Sequence, residues 1–184
     1  MRPTWGKHCQ TPGSFRNTPI VQQPASQTRH FNLDLDLRPV GHAPSGCADI
    51  VMDYNDFLLG VEVTLTTSSR QEAAEGEPVR RHIDGLRDSA SGKPVYGLFV
   101  APKIDINTAE TFRVGNWYRG ATANRLDIVP FNLNQMIRVV EKTRRQRPTP
   151  SDFRTLLDRC LMTRNSAPNV WLNEIESEVN RWCS

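Results

Sequence analysis

Hydrophobic and polar positions change period several times along this chain, and each change predicts an element. Residues 1–30 are rich in Pro, Gln, Ser and Thr and hold no period, which predicts a loosely packed arm. From Phe31 the pattern alternates, with Phe31, Leu33, Leu35 and Leu37 set against Asn32, Asp34, Asp36 and Arg38. Period two predicts a half-buried or edge strand, or an extended segment. CADIVMDYNDFLLGVEVTLT then gives two apolar arms, about 47–53 and 57–66, around Asn55-Asp56, the pattern of a hairpin. Ser69 and Glu72 have capping-box spacing and predict a helix running to about residue 87. Gly76 and Pro78 lie inside it, so a kink or a late start is expected. PVYGLFVAP (94–102) is almost wholly apolar and predicts a strand buried on both faces. A polar loop with small helical turns should follow, then a strand in RLDIVPFN (125–132).

Period 3.6 governs the rest. One helix is expected over about 132–146. A second, from Ser151, places Phe153, Leu156, Leu157, Cys160 and Leu161 on one face. A third aligns Trp171, Ile175, Val179 and Trp182. The order strand, hairpin, helix, strand, strand, helices predicts one α/β domain over 31–184, a mixed sheet flanked by helices.

Composition narrows the classes. The 184 residues are 38% hydrophobic, enough for one domain with its own core. The net charge of +3 is mildly basic and compatible with nucleic acid. No apolar run approaches the roughly 18 residues of a membrane span, and no signal-peptide core is visible, so a cytoplasmic protein is expected. Cys9, Cys47, Cys160 and Cys183 form no CxxC pair and lack zinc-finger spacing to a histidine, so reduced thiols are expected.

The hairpin sets up the chemistry. A turn centred between Asn55 and Asp56 puts Asp49 opposite Glu62 on one face, with Cβ atoms roughly 4.5–5.5 Å apart. The other face would carry Phe57, Leu59, Val61, Val63 and Leu65. Two carboxylates that close repel unless something neutralises them. On an exposed face solvent does so; in a cleft, a shared proton or a cation does. Oxygen-only ligation suits Mg²⁺, which accepts one or two carboxylates plus waters and phosphate oxygens. A bound Mg²⁺ acidifies water and stabilises charge on phosphate, so this pair suggests metal-assisted hydrolysis of a phosphodiester. On the following helix Glu75, Val79, His82 and Leu86 share the face that would dock on the sheet. There Glu75 and His82 could serve the reaction. Alternatively, Glu75 pairs with Arg80 or Arg81, and His82 is a hydrogen-bonded core histidine. Glu72 and Glu77 point elsewhere and are expected to be solvated.

GCADIVMDYNDFLLGVEVTLTTSSRQEAAEGEPVRRHI resembles the catalytic domain of the AlwI-type restriction endonucleases. This type IIS group includes nicking enzymes and the small subunits of heterodimeric enzymes. The resemblance is densest over about 33–103 and implies a restriction-endonuclease-like fold of the PD-(D/E)xK superfamily. It implies Mg²⁺-dependent hydrolysis of double-stranded DNA, with Mn²⁺ able to substitute. Asp49 and Glu62 would be the metal-binding acids, the Val63 carbonyl a further ligand, and Glu75 and His82 supporting active-site residues. Thr64 stands where the wider superfamily carries a lysine, which leaves Glu75, His82 and, more weakly, Gln71 as candidates to orient the attacking water. The family's domain usually opens with a helix that contributes another glutamate, whereas the first thirty residues here contain none. A catalytically inactive relic of the fold, binding DNA or protein, is therefore the alternative.

Arg138, Lys142, Arg144, Arg145 and Arg147 cluster near one helix end and could grip phosphates or simply suit the helix dipole. Arg80 and Arg81 could contact the cut strand. No helix-turn-helix or zinc-finger signature is present. The expectation is a cleavage subunit or domain whose target is recognised by a larger partner subunit or domain.

Overall fold

The sheet is organised around a stretch without a charged side chain. VYGLFVA, strand β6 (Val95–Ala101), is buried at all seven positions. In this computed structural model the described residues are 46–184, with short pieces at 26–29, 32–33, 35–36 and 39–40. β6 lies between β5 (Leu58–Val63) and β9 (Asp127–Asn132), parallel to both. β4 (Ile50–Asp53) pairs antiparallel with β5, and β1 (Ser26–Arg29) closes the far edge. The five strands run β1-β4-β5-β6-β9, so the expected mixed sheet is present.

Glycine decides how the first helix docks. α1 (Gln71–Leu86) follows β5. Gly60 and Gly97 are paired across β5 and β6 and leave a trough that Ile83 fills. A Cβ on Gly60 would lie 2.7 Å from Ile83 Cδ1, and one on Gly97 2.9 Å from Ile83 Cγ1. Contact this close presses the Val79–Ile83 side of α1 onto the sheet. α2 (Ile106–Val114) covers the same face through a ring contact between Phe99 and Phe112. α4 (Pro150–Met162) reaches the opposite face, where Tyr96 Oη donates to Asp158 at 2.6 Å. α3 (Leu133–Gln146) precedes it, and α5 (Pro168–Cys183) locks onto α4 through Trp171, whose indole N–H donates to Cys160 O at 2.7 Å. The apolar stripes expected for the last two helices are the buried ones, with Trp182 only half-buried.

Several expectations change. Residues 31–39 do not form one strand: β2 (Asn32–Leu33) pairs with β3 (Pro39–Val40), and Leu35 sits fully exposed at the turn. Of the expected arm, residues 1–25 lie outside the described residues, while Ser26–Arg29 is a paired strand. α1 starts without the capping box. Its N-cap is Arg70 and no side chain caps it, because the entry is fixed by the Gln71 side chain instead. The helix continues through Pro78, held by the packing of Val79 and Ile83. The polar loop is a nine-residue helix, α2, plus a hairpin of β7 (Asn116–Arg119) and β8 (Thr122–Arg125). Val63 and Leu65 are 53% and 85% exposed, because the chain passes the sheet edge there. Cys160 and Cys183 are free thiols, and burial pushes Cys160 up to about 12, but Cys47 is disulfide-bonded rather than reduced. Among the described residues no helix is long and apolar enough to cross a membrane.

Candidate active site

The site forms where β5 leaves the sheet. The β4–β5 ladder runs from Asp53 opposite Leu58 to Ile50 opposite Val61, the register the two-residue turn predicts. One step further sets Asp49 against Glu62. Leu58 N–H donates to Pro94 O and Thr64 N–H to Val100 O, both at 2.9 Å, so these positions turn their backbone groups toward β6. Val63 must turn the other way, toward β4. Its N–H donates to Asp49 Oδ2 at 2.8 Å, and its carbonyl leaves on that same side.

Glu62 is buried, only 8% exposed, on the face covered by α1. His82 meets it there, with Nδ1 2.7 Å from Glu62 Oε1. Burial pushes the Glu62 carboxyl above its ordinary value of 4.5; the His82 hydrogen bond and charge oppose this, while Asp49 and Glu75 add to it. Two turns earlier on α1, Glu75 Oε1 accepts from Thr64 Oγ1 at 2.8 Å. Asp49, Glu62, Val63, Glu75 and His82 are thus gathered around one strand end. The alternative pairing of Glu75 with Arg80 or Arg81 is not present, since Glu75 bonds Thr64. His82 is a hydrogen-bonded histidine, and its partner is the strand acid.

The neighbouring charges are otherwise engaged. Arg81 pairs with Glu77 at 3.1 Å, and both are exposed, as expected for Glu77. Arg80 lies over the Trp117 ring, 5.5 Å from its centroid. Glu72 is not simply solvated: its Oε1 accepts from Thr111 Oγ1 of α2 at 3.1 Å. In the basic cluster on α3, Arg138 is held by Glu176 at 2.8 Å and Lys142 lies over Trp182, whereas Arg144, Arg145 and Arg147 are exposed.

Gln71 is not available to orient water. It is fully buried, and its Nε2 donates to Thr66 O at 2.6 Å and to Lys103 O at 2.9 Å. Its Oε1 accepts from Asp105 N–H at 2.9 Å. One amide thus ties the end of β5 to the β6–α2 connection, one turn before Glu75. The sequence contains no signal for this brace, because its three backbone partners depend on tertiary placement. Gln71→Leu would strand those groups and should lower stability by about 2–3 kcal/mol, read as the urea midpoint at constant m-value.

As a cation site the donor set is oxygen-only. Asp49 uses one carboxylate oxygen on Val63, and Glu62 uses one on His82. The second oxygen of each makes no hydrogen bond among the described residues. A buried carboxylate held above its ordinary range gains from a cation beside it. Among the described residues no three of His, Cys, Asp and Glu converge into a metal-holding group. A cation here would draw on two carboxylates, Asp49 and Glu62, and the Val63 carbonyl. That fits Mg²⁺, which keeps several waters, and does not fit a closed protein cage.

The sequence matches the AlwI restriction endonuclease family over residues 21–139, well over half of the chain. The chain belongs to that family. No curated protein matches it. Among solved structures it is similar to the small subunit of the heterodimeric restriction endonuclease R.BspD6I, with a TM-score of 0.70 and 23% identity, over 84% of this chain and 81% of that one. The likeness shows a restriction-endonuclease fold. The AlwI-family segment contains the whole constellation from Asp49 to His82, and also α2 and the β7–β8 hairpin.

Proposed function

We propose that this AlwI-family chain is the cleavage subunit or domain of a type IIS restriction endonuclease, hydrolysing DNA phosphodiester bonds with Mg²⁺. The observation that carries the reading is the junction of Asp49, the Val63 backbone and buried Glu62 at the end of β5. In this reading Asp49, Glu62 and the Val63 carbonyl hold the ion. When bound, the ion acidifies water and stabilises charge developing on the phosphate. His82 keeps Glu62 in place through its Nδ1. Glu75, steadied at one oxygen by Thr64, orients the attacking water and takes its proton. Mn²⁺ should substitute, since it accepts the same hard oxygen donors. Target recognition comes from a larger partner, as the heterodimeric enzyme of similar fold suggests.

The test is plasmid cleavage by the purified chain with Mg²⁺ or Mn²⁺ and its companion large subunit. Wild type should cut, and Asp49→Ala should lose at least about 10³-fold in rate. Equal residual cleavage by the two proteins would overturn the reading in favour of an inactive relic.

A further inference from the structure

The β7–β8 hairpin stands apart from the main sheet, and its register separates two faces. Trp117 pairs with Asn124 and Arg119 with Thr122, so these four point one way; Asn116, Tyr118, Ala123 and Arg125 point the other. The first face is fastened to α1. Arg80 lies over Trp117, and Arg119 donates to Asp84 Oδ2 and Asp88 Oδ1, both at 2.6 Å. The second face is open, with Tyr118 66% exposed. NWYRGATANR, the whole ribbon, contains no aspartate or glutamate.

Arginines gather at the foot of that open face. Arg125 Nη2 donates to Arg113 O at 2.9 Å and to Asn165 Oδ1 at 3.0 Å, and Arg87 donates to Arg125 O. Arg164 pairs with Asp127 and Arg113 with Glu110, each at 2.6 Å. Four guanidinium groups thus share two carboxylates, and Arg125 has no carboxylate partner among the described residues. Burial and the neighbouring Arg164 and Arg113 charges push Arg125 below its ordinary range, against the opposing charge of Asp127.

We propose that this open ribbon face, with the arginines at its foot, is a contact surface for the phosphate backbone of duplex DNA, separate from the cleavage site at the end of β5. The inference rests on the nuclease reading. Duplex DNA is a continuous source of the missing anions. A two-stranded ribbon is narrow enough to lie along a groove, and Tyr, Asn and Arg are ordinary phosphate contacts.

The experiment uses the full chain and a short duplex of arbitrary sequence, in chelator so that nothing is cut. Affinity is followed by fluorescence anisotropy between about 50 and 200 mM salt. Ala123 is exposed and opposite Tyr118, so replacing it breaks no bond. Ala123→Glu should weaken binding several-fold at low salt, and Ala123→Lys should strengthen it. Arg125→Gln should reduce the salt slope by about one phosphate contact, with thermal melting as the check on folding. Opposite signs for Glu and Lys cannot come from a purely structural role. Wild-type affinity and slope in both Ala123 variants would overturn the ribbon surface and leave the nuclease reading intact. No binding by the wild type at the lowest salt would count against both.

Discussion

Glu62→Gln should abolish cleavage while leaving the fold at least as stable as before. The activity loss is expected to be about 10³-fold or more, at least ~4 kcal/mol in the barrier, because an amide is a poor ligand for a hard cation. The stability half follows from burial. Glu62 is pushed above 4.5, so the folded chain holds its proton to higher pH than the unfolded chain does. Stability from this group is present below the unfolded value and is lost as pH rises through the folded one. At neutral pH burial therefore disfavours the charge that Glu62 carries in the unfolded chain, and glutamine relieves that cost. The melting temperature of the metal-free variant should equal or exceed that of wild type at pH 7, and the gap should close below about 4.5. Added Mn²⁺ should raise the melting temperature of wild type alone, by binding only the folded state. A marked loss of stability at pH 7 in the variant would mean that Glu62 is a structural acid.

Ile83→Ala should cost about 3–4 kcal/mol, the largest stability change expected of a single truncation near the site. Ile83 is fully buried and fills the trough made by Gly60 and Gly97. Those glycines have no side chains with which to close the cavity. The damage should also reach the chemistry. Ile83 is next to His82 on α1, and loss of its contact lets the helix lift from the sheet. Chemical denaturation gives the first number. A fall in cleavage rate beyond what the unfolded fraction explains gives the second. A loss under 1 kcal/mol would show that α1 is held chiefly by the Gln71 brace.

The acid pair was legible because a hairpin with a two-residue turn has fixed arithmetic. Once Asn55-Asp56 is the tip, Asp49 and Glu62 can only face each other, and the observed ladder keeps that register. The Glu75 and His82 spacing was legible for a similar reason, since seven residues are two helical turns. What each touches was not. Thr64 reads as an absent lysine in the sequence, yet its hydroxyl holds Glu75. Gln71 stands in the sequence only as a weaker candidate to orient water, yet it joins three backbone groups from two segments. Glu72 reads as solvated until α2 brings Thr111 to it. α2 reads only as small helical turns in a polar loop because only Thr108, Ala109 and Phe112 of its nine residues are buried, too short a stripe to stand out. The β7–β8 ribbon has a single glycine, Gly120 at φ +61°, as its turn signal, and its strands are nearly all exposed, so no period marks them.

The central claim is that Asp49 and Glu62 together form a divalent-cation site, and calorimetric titration of the metal-free chain with Mn²⁺ tests it most directly. Wild type should show one saturable binding event, absent from both Glu62→Gln and Asp49→Ala at pH 7. A wild type that binds no Mn²⁺, or variants that bind as wild type does, would contradict it.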